Sequence, residues 1–145
     1  MKLASKTTLA VLLIAGLSAA PVHAAMAPRK TVESFGQALV AGDAVGLRIA
    51  LPETGKVRVR LVRLGPQSGA LRGRQLAAVL QDFLERGRVT GFEIRTVEQS
   101  ETLALATAVV TLVDSDGSRA RVGLHLSLEP ENDRWVLREI RESSK

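Results

Sequence analysis

The sequence predicts an α+β domain in which a curved antiparallel sheet is covered by three N-terminal and central helices. Three observations predict it. Between Val89 and Arg141 four stretches in a row carry strand patterns: Phe92, Ile94 and Thr96 alternate with Glu93, Arg95 and Val97, and Ala120, Val122, Leu124, Leu126 and Leu128 alternate with Arg119, Arg121, Gly123, His125 and Ser127. That two-residue period is the signature of a half-buried sheet. The third of the chain before them carries apolar residues at helical spacing, which supplies the cover. Finally, of 145 residues, those from about Ala25 onward are of a size that forms one domain around one core.

The first residues are a targeting segment rather than part of that domain. Lys2 and Lys6 precede an uncharged run from Thr7 to Ala20, and Val22-His23-Ala24 has the small-x-small pattern of a signal-peptidase site. The run is too short for a permanent bilayer span. A signal peptide over residues 1–24, a flexible leader over 25–30 and a single domain over 31–142 are therefore expected, in a protein exported to the periplasm or the medium.

From Thr31 to Ala41, the residues Val32, Phe35, Leu39 and Val40 mark the first helix. Gly42 suits its left-handed C-terminal position and Asp43 suits the N-cap of a second, at Ala44 to Leu51. Pro52 ends that helix. Val57, Val59 and Leu61 alternate with Arg58 and Arg60, predicting a strand with arginines outward and an irregularity near Leu61. Gly65 to Gly69 reads as a loop. From Arg74 to Glu85, the stripe of Leu76, Val79, Leu80, Phe83 and Leu84 predicts the third helix, stopped by Gly87.

The strand Gly91 to Glu98 follows, and then Thr102 to Val113. This last segment is apolar on both faces, with Leu103, Leu105 and Val109 on one and Ala104, Ala106, Ala108, Val110 and Leu112 on the other. One face can meet the helices, so the other is expected to meet a second copy of the protein. Asp114-Ser115-Asp116-Gly117 predicts a tight hairpin, and Glu129 to Asp133 a longer turn into the closing strand with Trp135 at its start.

Composition excludes several chemistries. With no cysteine there are no disulfides, thiolate nucleophiles or sulfur-ligated metals. Twenty basic residues face 15 acidic ones for a net charge of +5, and removing Lys2 and Lys6 with the signal leaves +3. Nucleic acid is not an expected partner, because the arginines are scattered and aromatics, at 3%, include no tyrosine for stacking on bases. His125 is the one histidine beyond the signal and lies on the polar phase of its strand, with no second histidine at metal-ligand spacing. Asp114 and Asp116 lack the remaining ligands of a calcium loop. No phosphate-binding glycine loop or nucleophile elbow is present. No metal or cofactor is expected.

The order of elements resembles the NTF2-like superfamily, a cone of sheet wrapped around a long helix. The features that carry the resemblance are Phe35, Ala38 and Leu39 before Gly42-Asp43, with Leu47 and Leu51 beyond; Leu71-Arg72-Gly73-Arg74 leading into a helix with Phe83-Leu84; the Asp116-Gly117 hairpin; and the closing Arg134-Trp135-Val136-Leu137-Arg138-Glu139-Ile140. They span nearly all of the mature chain and look most like small exported bacterial domains of unknown function. The resemblance implies a cone interior, and enzymes of that superfamily place an acid or base inside it. The positions expected to line it here, among them Val57, Phe92, Val122, Leu126 and Leu137, do not titrate, which speaks against acid-base catalysis.

The leading expectation is thus an exported, non-catalytic accessory or interaction domain, homodimeric through an outer sheet face around Ala104, Ala106, Ala108 and Val110. The alternative is a carrier of a small apolar ligand in a cone lined by Phe35, Phe83, Phe92, Ile94, Leu124 and Trp135. Third is an enzyme acting on a small apolar substrate. Arg72 and Arg74, placed at the positive end of the third helix, make a candidate anion site. Arg58, Arg60 and Arg138 form a basic patch if the first strand lies beside the last.

Overall fold

The computed structural model describes residues 27–143. The expected signal peptide lies outside the described residues. Helix α1 spans Pro28–Ala41 and starts inside the segment expected to be a leader, because proline at its first turn has the helical φ built in and lacks only an amide that would have no partner there. Gly42 ends it in the left-handed conformation at φ 67°, donating its amide to the Ala38 and Leu39 carbonyls. Asp43 then caps α2 (Ala44–Ile49) by accepting from the Val45 amide at 3.1 Å. The Gly-Asp junction behaves as its residue types require.

Strands β1 (Lys56–Leu61) and β2 (Gln67–Arg72) form a hairpin in register Val59↔Gly69. Where the composition of residues 65–69 predicts a loop, the chain instead begins β2. The strand is an edge with no buried position, so it carries no alternation to read. Helix α3 (Gly73–Arg86) follows, and then the meander β3 (Arg88–Gln99), β4 (Ala104–Val113), β5 (Arg119–Glu131) and β6 (Arg134–Glu142). The six strands lie in the order β2-β1-β6-β5-β4-β3. All pairs are antiparallel except β1 with β6, so the sheet is mixed rather than purely antiparallel.

The parallel junction is short, matching Arg58 with Glu139, Val59 with Ile140 and Arg60 with Arg141. It is reinforced by a carboxylate. Glu142, only 7% exposed, accepts from the backbone amides of Val62, Arg63 and Leu64 where β1 leaves the sheet, the last two at 2.8–3.0 Å. Charge-assisted bonds of this kind satisfy three donors at once. The helices are stitched to β6 as well: Thr31 Oγ1 donates to the Trp135 carbonyl at 3.0 Å, and the Leu137 amide to the Ala50 carbonyl at 2.9 Å.

The core fills the space between the helices and the concave side of the sheet. Val32, Phe35, Leu39, Leu76, Leu80, Leu124, Leu126 and Leu137 are all buried in one cluster. Strand β4 turns Ala104, Ala106, Ala108 and Val110 into this interior, each at most 2% exposed. The outer face expected of these four residues belongs instead to Leu105, Thr107, Val109, Thr111 and Val113. The cause is pairing with β3: Phe92 and Ile94 point inward and stand opposite Val110 and Ala108, so these must point inward too. A bulge at Arg95 then reverses the phase of β3, bringing Val97 inward and turning Thr96 outward to hydrogen-bond Thr107 at 2.7 Å.

Gly36 of α1 lies against the ring of Phe92, which itself packs edge-on against Phe35 with centroids 6.2 Å apart. A β-carbon at residue 36 would stand 2.2 Å from that ring. In the β4–β5 hairpin, the hydroxyl and amide of Ser118 hold the Asp116 carboxylate below its ordinary pKa.

Replacing Glu142 by alanine leaves three amides without their acceptor and should cost about 3 kcal/mol in urea unfolding, whereas Glu139→Ala, a surface residue 3.8 Å from Arg58, should stay within about 0.5 kcal/mol. Ser118→Ala should raise the Asp116 pKa toward the ordinary carboxylate value in an NMR titration. Because the folded-state pKa is depressed, the small stability contribution of Asp116 is present above the unfolded-state pKa and lost as pH falls through the folded one.

Candidate functional site

Three regions of the described chain present themselves as sites: the cone interior, the outer face of the sheet, and a cleft at the start of α3. The interior is filled. Phe35 and Leu124 are at most 1% exposed and Phe83 is 8% exposed, all within the core cluster, with Trp135 packed against it. Of the six residues expected to line a ligand cavity, only Phe92 and Ile94 border an open one. It is a groove of about 520 Å³ on the flank of α1, shared with Arg29, Glu33, Gly36, Gln37 and Val40. The buried charged side chain is Glu142, which the sequence marks as one more terminal glutamate. Its two oxygens are engaged by backbone amides, so it is not aimed at a cavity.

The outer, convex face of the sheet carries mixed polar, charged and apolar residues. Across it runs a row of Glu98, Leu105, Ser127, Glu139 and Arg58, and beside that a row of Thr96, Thr107, His125, Arg141 and Arg60. Glutamates 93 and 98 stand on the β3 edge, with Arg95 3.4 Å from Glu93, and arginines 58, 60 and 141 on the β1–β6 side, with Glu139 3.8 Å from Arg58; between them β5 presents His125 and Ser127 at one end and the exposed Arg119 and Arg121 at the other. A shallow groove of about 290 Å³ runs over Thr96, Leu105, Thr107, His125, Ser127 and Arg141. Of the expected basic patch, Arg58 and Arg60 share this face. Arg138 does not: it is the extra residue at the β5–β6 bulge, where it meets Glu129 at 3.5 Å, Glu131 at 3.2 Å and the Thr54 carbonyl at 2.9 Å.

Arg72 and Arg74 fall together in a cleft of about 670 Å³ between α2 and the first turn of α3, lined also by Val45, Arg48, Ile49, Leu51, Pro52, Glu53, Gly73, Gln75 and Arg134. Two of these arginines were legible from their place before a helix; Arg48 and Arg134 reach the cleft only through the fold. Arg134 is anchored by bonds to the carbonyls of Ile49 and Leu51 and lies 3.6 Å from Glu131. Glu131 in turn accepts from the Glu53 amide at 3.0 Å. Gly73 lets the two walls meet, since a β-carbon there would lie 2.6 Å from the Pro52 carbonyl oxygen.

No protein-family model matches the sequence, and no curated protein matches it. Solved structures do. A variant of Rd1NTF2_05 is 18% identical with a TM-score of 0.63, the match covering 79% of this chain and 95% of that one. A DUF4783 family protein from Bacteroides uniformis is 12% identical with a TM-score of 0.61, covering 78% and 95%. An LEH-like epoxide hydrolase from M. tuberculosis is 18% identical with a TM-score of 0.60, covering 79% and 80%. The fold is NTF2-like. Three helices on the concave side of a six-stranded mixed sheet make this chain similar to proteins of that fold, including domains of unknown function.

Gly73→Ala should push α3 off the Pro52 carbonyl, a contact with backbone that no rotamer change relieves. A loss of roughly 1–3 kcal/mol in thermal or urea unfolding is expected.

Proposed function

We propose that this is an exported, non-catalytic NTF2-like domain that acts as a homodimeric interaction module, pairing through the outer face of its sheet. The observation that supports it best is the strip of that face running from Glu98 on β3 through Leu105, Thr107, His125 and Ser127 to Arg58, Arg60 and Arg141. A two-fold axis near Thr107 and His125 would lay the acidic β3 edge of one copy over the basic β1–β6 side of the other, and an isologous contact needs this kind of self-complementarity. The small central residues Thr107, Gly123 and Ser127 let two sheets approach closely, while Leu105 and Val109 supply apolar area to bury. A filled interior supports the non-catalytic part of the reading. The solvent-excluded space where superfamily enzymes work is occupied here by Phe35, Leu124 and Leu126.

Sedimentation of the protein at micromolar concentration should give a dimer. Thr107→Arg, at the centre of the face, should give a folded monomer that unfolds cooperatively at a midpoint independent of protein concentration; a dimer that survives this substitution would defeat the proposal. Glu98→Lys and Arg141→Glu should each weaken the dimer about tenfold or more, and the double exchange should recover it in part. Ala106→Glu buries a charge in the core and should unfold the domain instead of dissociating it.

A further inference from the structure

The cleft between α2 and α3 concentrates positive charge that the fold does not neutralise. Arg48, Arg72, Arg74 and Arg134 line it against a single glutamate, Glu53. Among the described residues, Arg48, Arg72 and Arg74 make no ion pair within 4.0 Å, although seven basic side chains elsewhere in the chain do. Guanidiniums crowded without counter-charge repel one another and gain most from an anion that several can share.

Beside Arg48, the α2 wall is apolar. Val45 and Ile49, one turn apart on α2, are 68% and 57% exposed and line the same cleft. Two large aliphatic side chains left in water beside a cluster of arginines are a wasteful surface for a monomer and a suitable one for a ligand with an acidic group and an apolar body.

We propose that this cleft binds a small phosphate monoester, with the phosphate held by Arg48, Arg72 and Arg74 and its apolar substituent lying along Val45 and Ile49. Phosphate fits better than a lone carboxylate. It carries close to two charges and three acceptor oxygens near neutral pH, enough for three forked donors, where one carboxylate would leave most of that charge uncompensated. Arg134 closes the floor. Its hydrogen bonds to the Ile49 and Leu51 carbonyls fix α2 against β6, so both walls stand in place before a ligand arrives.

Isothermal titration calorimetry of the protein with hexyl phosphate tests the site, with inorganic phosphate as the second arm and vesicles of an anionic phospholipid as the third. Hexyl phosphate should bind saturably, one per chain, about tenfold or more tighter than inorganic phosphate. The double variant Arg72→Gln/Arg74→Gln should lose most of that affinity without a change in unfolding midpoint. Ile49→Ser should weaken hexyl phosphate and leave inorganic phosphate unchanged. Arg58→Gln/Arg60→Gln, on the outer sheet face, should change neither. Absence of saturable binding, an equal loss in the outer-face variant, or binding to vesicles without binding to soluble hexyl phosphate would each overturn the proposal.

Discussion

A carboxylate on the last strand holds this fold closed. The four-stranded meander β3–β6 is joined to β1 and β2 through one parallel contact of three residue pairs. Immediately beyond it the chain leaves β1, exposing three successive amides that no strand partner can satisfy. Glu142 reaches across and accepts from all three. Amides shielded even in part and left without acceptors are costly, so the alternative to this carboxylate is a frayed junction between β1 and the meander. With the junction in place, Leu61 and Leu64 are buried and α3 is carried back over the core.

The same strand anchors the helices. Thr31 and Leu137 tie α1 and the end of α2 to β6, and Arg134 and Arg138 extend the tie to the 49–54 segment by donating to its carbonyls. Glu131 sits between these two arginines and also accepts from the Glu53 amide. Isolated surface ion pairs contribute little, but arginines held between carboxylates and backbone carbonyls are geometrically fixed, and here they set where a six-residue helix ends. A helix so short would not hold its place by propensity alone.

Much of the architecture was legible because alternation and capping are local. The Gly42-Asp43 junction, the inward Val57 and Val59 with outward Arg58 and Arg60, and the stripe of α3 all follow from neighbours within a few residues. The facing of β4 was not local. Its two phases differ only in the size of their apolar residues, so the choice depends on a partner strand, and pairing with the inward Phe92 and Ile94 decides it. Small alanines then lie where the interior is crowded by Phe35 and the leucines of β5, and the larger Leu105 and Val109 are left outside. Edge strand β2 gave no pattern because it buries no residue. Glu142 gave none because its role depends on amides about eighty residues away.

Filling the cone has a consequence for the surfaces around it. Burial of Phe35, Leu124 and Leu126 gives a small, cysteine-free chain the core it needs. The arginine cleft and the outer sheet face are both held rigid by that core. Strand β6 supplies both: Arg134 at its start braces the arginine cleft, and Glu139 and Arg141 near its end face outward on the sheet. Between them Leu137 and Ile140 are fully buried. A strand fixed in the core at its centre cannot slide at either end without moving those side chains, so the packing that closes the interior also keeps the exterior groups in position.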